Sequence, residues 1–195
     1  MHNPLAAMNR YLPLVLVIGL LIAFRALGTV LPENLPNFQP LAAVFFCGAL
    51  LASQWKGFAI PVGVWALTYP LGVGHTGSVS LFITTLAAFA LVFGLGKWLS
   101  TRGFASLLLG SLASAVLFHL VTNGVAWAMD PRYAKTLAGL AQSLWLGAPG
   151  DVLPSWAFLR NMAAANLIFT AIFLAARMRL PQVKLSQKEG LAIGH

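Results

Sequence analysis

Apolar stretches punctuated by isolated charges run along nearly the whole chain. With roughly 20 apolar residues taken as one membrane-spanning helix, the pattern predicts an all-α polytopic membrane protein with six spans, at residues 11–30, 40–53, 58–72, 79–99, 104–129 and 158–178. The second and third are short, and the third holds Pro61 and Pro70, so they form either two full crossings or a re-entrant pair. Gln54, Trp55 and Lys56 stand between them and prefer an interface to hydrocarbon, which favours a tight spanning hairpin.

Composition points the same way. Only 8% of the residues are charged against 59% hydrophobic, with a mean hydropathy of +0.83. A water-soluble globule ordinarily carries about a quarter charged residues, so the bilayer is the expected solvent. A net charge of +8 would suit nucleic acid in a soluble protein. Here the 12 Lys/Arg are strung between apolar stretches instead of gathered on one surface, so they read as topology signals and no nucleic-acid partner is expected.

Six crossings put both termini on one side. Arg10, Lys56, Lys97, Arg102, Arg177, Arg179, Lys184 and Lys188 then share that side with Glu189, while Arg25, Arg132, Lys135 and Arg160 fall towards the other with Glu33, Asp130 and Asp151. The excess of bases places both termini in the cytoplasm. Trp55 and Trp98 sit at the expected inner boundary, and Trp127, Trp145 and Trp156 at or beyond the outer one, as aromatic belts require. Residues 1–180 form a single transmembrane bundle in this reading, and 181–195 a polar, basic cytoplasmic tail without fixed structure.

The first span has some look of a signal peptide, but its apolar run is longer than a typical h-region and Arg25 lies in its cleavage end, so it reads as a retained helix. Cys47 is the single cysteine, which excludes an intrachain disulfide and a cysteine metal cluster; it reads as a small buried hydrophobe. The long outer connection after Asp130 starts with an acid before Pro131 and continues with Leu137, Leu140, Ala141 and Leu144 at helical spacing. A short amphipathic helix on the outer face is expected, ending near Gly147.

Depth then sorts the polar residues. Arg25 stands about 14 residues, or roughly 20 Å, from the cytoplasmic end of its helix. His119, Asn123 and Trp127 follow at spacings of four on an outward-running helix. Arg160 and Asn161 open the last span, Asn166 lies deeper, and Asn37 and His75 occupy the short outer connections. Ionisable groups in a membrane usually face the bundle interior or a wet cavity. These residues, with Tyr133, are therefore expected to converge on an outward-facing pocket, Arg25 and Arg160 as contacts for a carboxylate or phosphate, Trp127 and Tyr133 as a lid or stacking wall. The alternative is that the arginines snorkel to headgroups while asparagines and histidines staple helices together.

Small-residue strips at Gly19 and Ala23, at Ala90 and Gly94, and at Ser106, Gly110 and Ser114 allow close helix approach, and packing within one bundle is their expected use. Arg25, the run from Pro36 to Ala43, Asn123 and Trp127 with the segment from Tyr133 to Leu140, Phe158 to Asn161 and Leu167 to Thr170 together resemble a family of uncharacterised small bacterial membrane proteins. That family is in turn similar to the substrate-binding S components of energy-coupling factor (ECF) vitamin transporters. The resemblance implies capture of a vitamin-like small molecule from outside, and docking through the first helix, at positions matching Gly19 and Ala23, on a coupling subunit driven by ATPases. No acid suited to a cation site stands in the last helix or at Thr68-Tyr69-Pro70, so ion coupling is not implied.

Other function classes fit less well. An intramembrane serine hydrolase would have to use Ser78 or Ser114 with His119, yet no Gly-x-Ser-x-Gly elbow exists. Paired axial histidines for haem and a phosphate loop for ATP are both missing, and no cofactor is expected. A structural subunit of a larger membrane complex would account for the small-residue strips without any pocket.

Overall fold

The computed structural model describes residues 35–51, 56–73 and 78–179, together with Gly19, Ala23 and Phe24. Among the described residues the regular structure is entirely helical: α1 (Leu41–Leu51), α2 (Lys56–Val73), α3 (Val79–Leu99), α4 (Phe104–Met129), α5 (Leu137–Trp145) and α6 (Ser155–Arg179). The predicted span at 11–30 and the tail at 181–195 fall outside the described residues, except that Gly19, Ala23 and Phe24 are helical.

Local chemistry sets the helix ends. The Ser78 hydroxyl accepts from the Leu81 amide at 3.1 Å and opens α3, whose last turn carries Lys97 beside the exposed carbonyls. Asp130 ends α4 in an extended conformation, which the following Pro131 imposes by clash with a helical predecessor. α3, α4 and α6 are each long and apolar enough to cross a membrane. At 11 residues, α1 is about 16 Å long and falls short of a hydrocarbon core of roughly 30 Å.

That short helix is the centre of the bundle. α2, α3, α4 and α6 all pack on α1, and Phe45 and Phe46 are completely buried. Phe45 stacks on Phe89 of α3 at 4.2 Å between centroids, and Phe89 in turn meets Phe118 of α4 at 4.9 Å. Two backbone contacts allow the crowding. A Cβ on Gly96 would stand 2.6 Å from the Phe46 carbonyl oxygen, and one on Gly48 would stand 2.5 Å from that of Gly57. The Gly57 carbonyl has no helical donor four residues on, because Pro61 lacks an N–H, and Gly48 packs against it. The strip at Ala90 and Gly94 is exposed; the close approach on α3 falls two residues later.

A buried polar seam joins α4 to α6. Ser111 Oγ donates to the Asn166 carbonyl at 3.0 Å and lies 2.7 Å from Thr170 Oγ1, while Asn166 Nδ2 donates to the Ser111 carbonyl (3.0 Å) and to Ser114 Oγ (3.1 Å). Cys47 Sγ reaches Thr170 Oγ1 at 3.8 Å from α1. Ser114 Oγ is thus engaged across the helix interface, and Ser78 Oγ caps α3, so both serines nominated for hydrolysis have partners other than His119.

Candidate functional site

Where α4 ends and α6 begins, the helices part around a cavity of about 300 Å³. α4 contributes His119, Thr122 and Asn123, the connection to α6 contributes Asp130, Arg132, Tyr133 and Asp151, and α6 contributes Ser155 above an apolar floor of Phe118, Phe158 and Met162. Asn37 enters from the segment before α1, in the left-handed conformation (φ 59°) that asparagine tolerates, its side-chain oxygen accepting from Gln39 Nε2 at 2.7 Å.

The rim is organised by one acid. The Asp130 carboxylate accepts from the Arg132 amide at 2.9 Å and from its guanidinium at 2.7 to 3.2 Å, and the same guanidinium reaches Asp151 at 2.8 Å. Asp151 also accepts from the Ala148 amide at 3.0 Å, fixing the turn ahead of α6. The hydrogen bonds from Arg132 hold the Asp130 carboxyl below the ordinary carboxylate range, and the two carboxylates raise the guanidinium further. Burial, and next the charges of Asp151 and Asp130, push the Tyr133 phenol up. Lys135 donates to the carbonyls of Trp127 and Asp130, placing a cation at the end of α4.

This arrangement corrects one expectation. Asp130 and Pro131 do not start the outer helix: Asp130 caps α4, and Thr136 caps α5 by accepting from Gly139 N at 3.1 Å. Gly139 has to be glycine, because a Cβ there would fall 1.9 Å from the Ala134 carbonyl oxygen. α5 ends as expected beside Gly147, whose φ of 88° closes the helix.

Inside the cavity, three side chains form a relay. His119 Nε2 lies 2.8 Å from the Leu144 carbonyl, which only accepts, so Nε2 carries the proton and Nδ1 accepts from Asn123 Nδ2 at 3.1 Å. Asn123 Oδ1 in turn accepts from Ser155 Oγ at 3.2 Å. The serine therefore donates to an amide and receives no activation from the imidazole. Among the described residues no group of three or more His, Cys, Asp or Glu is placed to hold a metal ion.

Residues 6–187 match a family of unknown function, DUF6580. The chain belongs to that family. No curated protein and no solved structure matches it.

In this DUF6580 chain the cavity gathers Asn37, His119, Asn123 and Tyr133 of the residues singled out from sequence. Arg25 and His75 lie outside the described residues. Trp127, Arg160 and Asn161 do not line the cavity but brace its frame. Trp127 Nε1 donates to the Ala134 carbonyl at 2.9 Å. Asn161, buried, donates to the Pro36 carbonyl at 3.0 Å and accepts from Arg160 Nε at 3.1 Å, while the Arg160 guanidinium lies 5.1 Å from the centre of the Trp156 ring. Gly19 and Ala23 are exposed, and a Cβ on Gly19 would meet nothing within 4 Å.

Five polar lining residues of the DUF6580 chain escaped the sequence reading: Asp130, Arg132, Asp151, Ser155 and Thr122. The first three had been read as caps or topology charges. Their signal was present in the crowding of two of the protein's 4 acidic residues into one connection with an arginine.

Proposed function

We propose that this DUF6580 chain is a membrane-embedded solute-binding protein of the ECF S-component type, capturing a vitamin-like small molecule for uptake. Its setting is the bacterial inner membrane, with six transmembrane segments of which the second and third are short, both termini cytoplasmic and an energy-coupling subunit with ATPases as partner. The observation that carries the reading is the cavity of about 300 Å³ at one end of the bundle, with an apolar floor and side-chain donors and acceptors converging on it from four separate segments. Ligand sites commonly have this composition, mostly apolar with a few placed polar groups.

Charge narrows the solute. Arg132 is engaged by both Asp130 and Asp151, and these three side chains sum to one negative charge. The described lining therefore favours a neutral polar or amine-bearing solute over an anion. Native mass spectrometry of protein extracted gently from its own membrane tests the reading. A co-purifying small molecule is expected, lost in Asp151→Asn and Ser155→Ala and kept in Arg160→Ala. Absence of any adduct, or an adduct indifferent to the two cavity substitutions, overturns it.

A further inference from the structure

α5 turns its apolar side away from the protein. At 3.6 residues per turn, Leu137, Ala138, Ala141 and Trp145 share one arc about 100° wide, and all four are exposed. The opposite arc, which packs on α4 and α6, carries Gly139 and Ser143, both buried. Against water this leaves Leu137 and Trp145 at 84% and 61% exposure, while the other two leucines of the helix, Leu140 and Leu144, are only half-buried. A surface helix of a soluble protein has the reverse arrangement.

The exposed surface continues past the helix through Leu146 and Val152, at 61% and 87% exposure. It also runs onto α6, where Trp156 lies 6.4 Å from Trp145 and Phe158 is exposed. Exposed apolar residues further along α6 and α4, among them Ile172 and Leu109, belong to helices long enough to cross a membrane. Tryptophan at this level, with arginine stacked on one ring, is the usual composition of a headgroup boundary.

A second observation is independent of the apolar stripe: several polar groups of α5 find partners within the protein. Thr136 closes the N-terminus, the amides of Leu146 and Gly147 both donate to the Gln142 carbonyl, Ser143 Oγ donates to the Leu140 carbonyl, and the Leu144 carbonyl receives His119. Backbone already paired in this way is what a helix needs to leave water for lipid.

We propose that α5 is sunk into the membrane leaflet at the cavity end, its Leu137, Ala141 and Trp145 face against phospholipid acyl chains near the glycerol level. The bilayer then forms the outer side of a helix whose inner side holds His119 at the cavity. The proposal rests on the membrane-spanning reading given above, and the experiment separates the two. Wild type and Trp145→Phe are reconstituted in vesicles of phosphatidylcholine brominated either near the headgroup or near the chain end, and the difference emission isolates Trp145. Leu109→Trp on α4 serves as the reporter for crossing.

The expected result is that Leu109→Trp emission falls with brominated lipid, and that Trp145 loses about twofold more emission to shallow than to deep bromines, in keeping with burial at the headgroup and acyl boundary, with little response to aqueous iodide. If Leu109→Trp is quenched while Trp145 responds to iodide alone, α5 lies in water and the proposal is overturned. Shielding of Trp145 from both quenchers means a protein occupant and overturns it as well. An unquenched Leu109→Trp overturns the membrane-spanning reading and the placement of α5 together.

Discussion

Asn123 Nδ2 donates to His119 Nδ1 one turn away along α4, and the imidazole's other nitrogen holds the Leu144 carbonyl of α5. One residue pair thus ties the wall of the cavity to the helix outside it. Asn123→Leu removes the donor to Nδ1 and the acceptor of Ser155, leaving two polar atoms without partners, at an expected cost of about 1–3 kcal/mol. Chemical denaturation in lipid micelles measures it. His119→Leu is expected to cost less when added to Asn123→Leu than it does alone, because the nitrogen already stranded goes with it; strictly additive effects would show that the pair does not interact.

Two glycines two residues apart on α3 are expected to behave oppositely. Gly96→Ala drives a methyl into the Phe46 carbonyl, a backbone atom that cannot rotate away, and should destabilise by about 1–3 kcal/mol. Gly94→Ala meets nothing within 4 Å and should be neutral or stabilise by up to about 1 kcal/mol through helix propensity. Thermal unfolding of the two variants side by side checks the packing of α1 on α3.

The rim should respond to acid. The Asp130 carboxyl is held below its ordinary value, chiefly by the hydrogen bonds from Arg132, so the folded-state value lies below the unfolded one. Its contribution is present above the ordinary carboxylate range and is lost as pH falls through the depressed value. Proteolysis within residues 130–151 is expected to rise on acidification in that window. Arg132→Met should raise the cleavage at neutral pH and flatten its pH dependence; an unchanged profile would remove the ion pairs as the cause.

The seam between α4 and α6 predicts a modest effect for a fully buried residue. Asn166→Leu removes the donors to the Ser111 carbonyl and Ser114 Oγ, and interhelical hydrogen bonds in membrane proteins contribute about 0.6–2 kcal/mol. Loss in that range, with Thr170→Val milder because Ser111 keeps the Asn166 carbonyl, is the expected ranking in unfolding experiments.

The extent of α3 and α4 was legible because each apolar run stops at residues with a mechanical reason to end a helix: the capping Ser78, the turn at Gly103, and Asp130 before proline. The grouping of His119 with Asn123 was legible for a similar reason, since residues four apart share a helix face. Arg160 shows where such reading stops. Its depth on α6 gives no sign that its guanidinium lies over the Trp156 ring and that its Nε donates to Asn161. The contact between Arg132 and Asp151 spans 19 residues and depends on how the connection folds back, which no local pattern encodes.

By itself the sequence determined the all-helical class, the apolar runs long enough to cross a membrane, and the polar residues available at one end, because hydrophobic length and helix-end chemistry are local properties. Only the tertiary structure decided that the short α1 is the hub, that Asp130, Arg132 and Asp151 close one rim, and that α5 faces outward with its apolar side. Those outcomes depend on how each helix is rotated about its axis and how closely backbones approach. Rotation and approach are selected by contacts such as Gly96 on the Phe46 carbonyl, made between residues far apart in the chain.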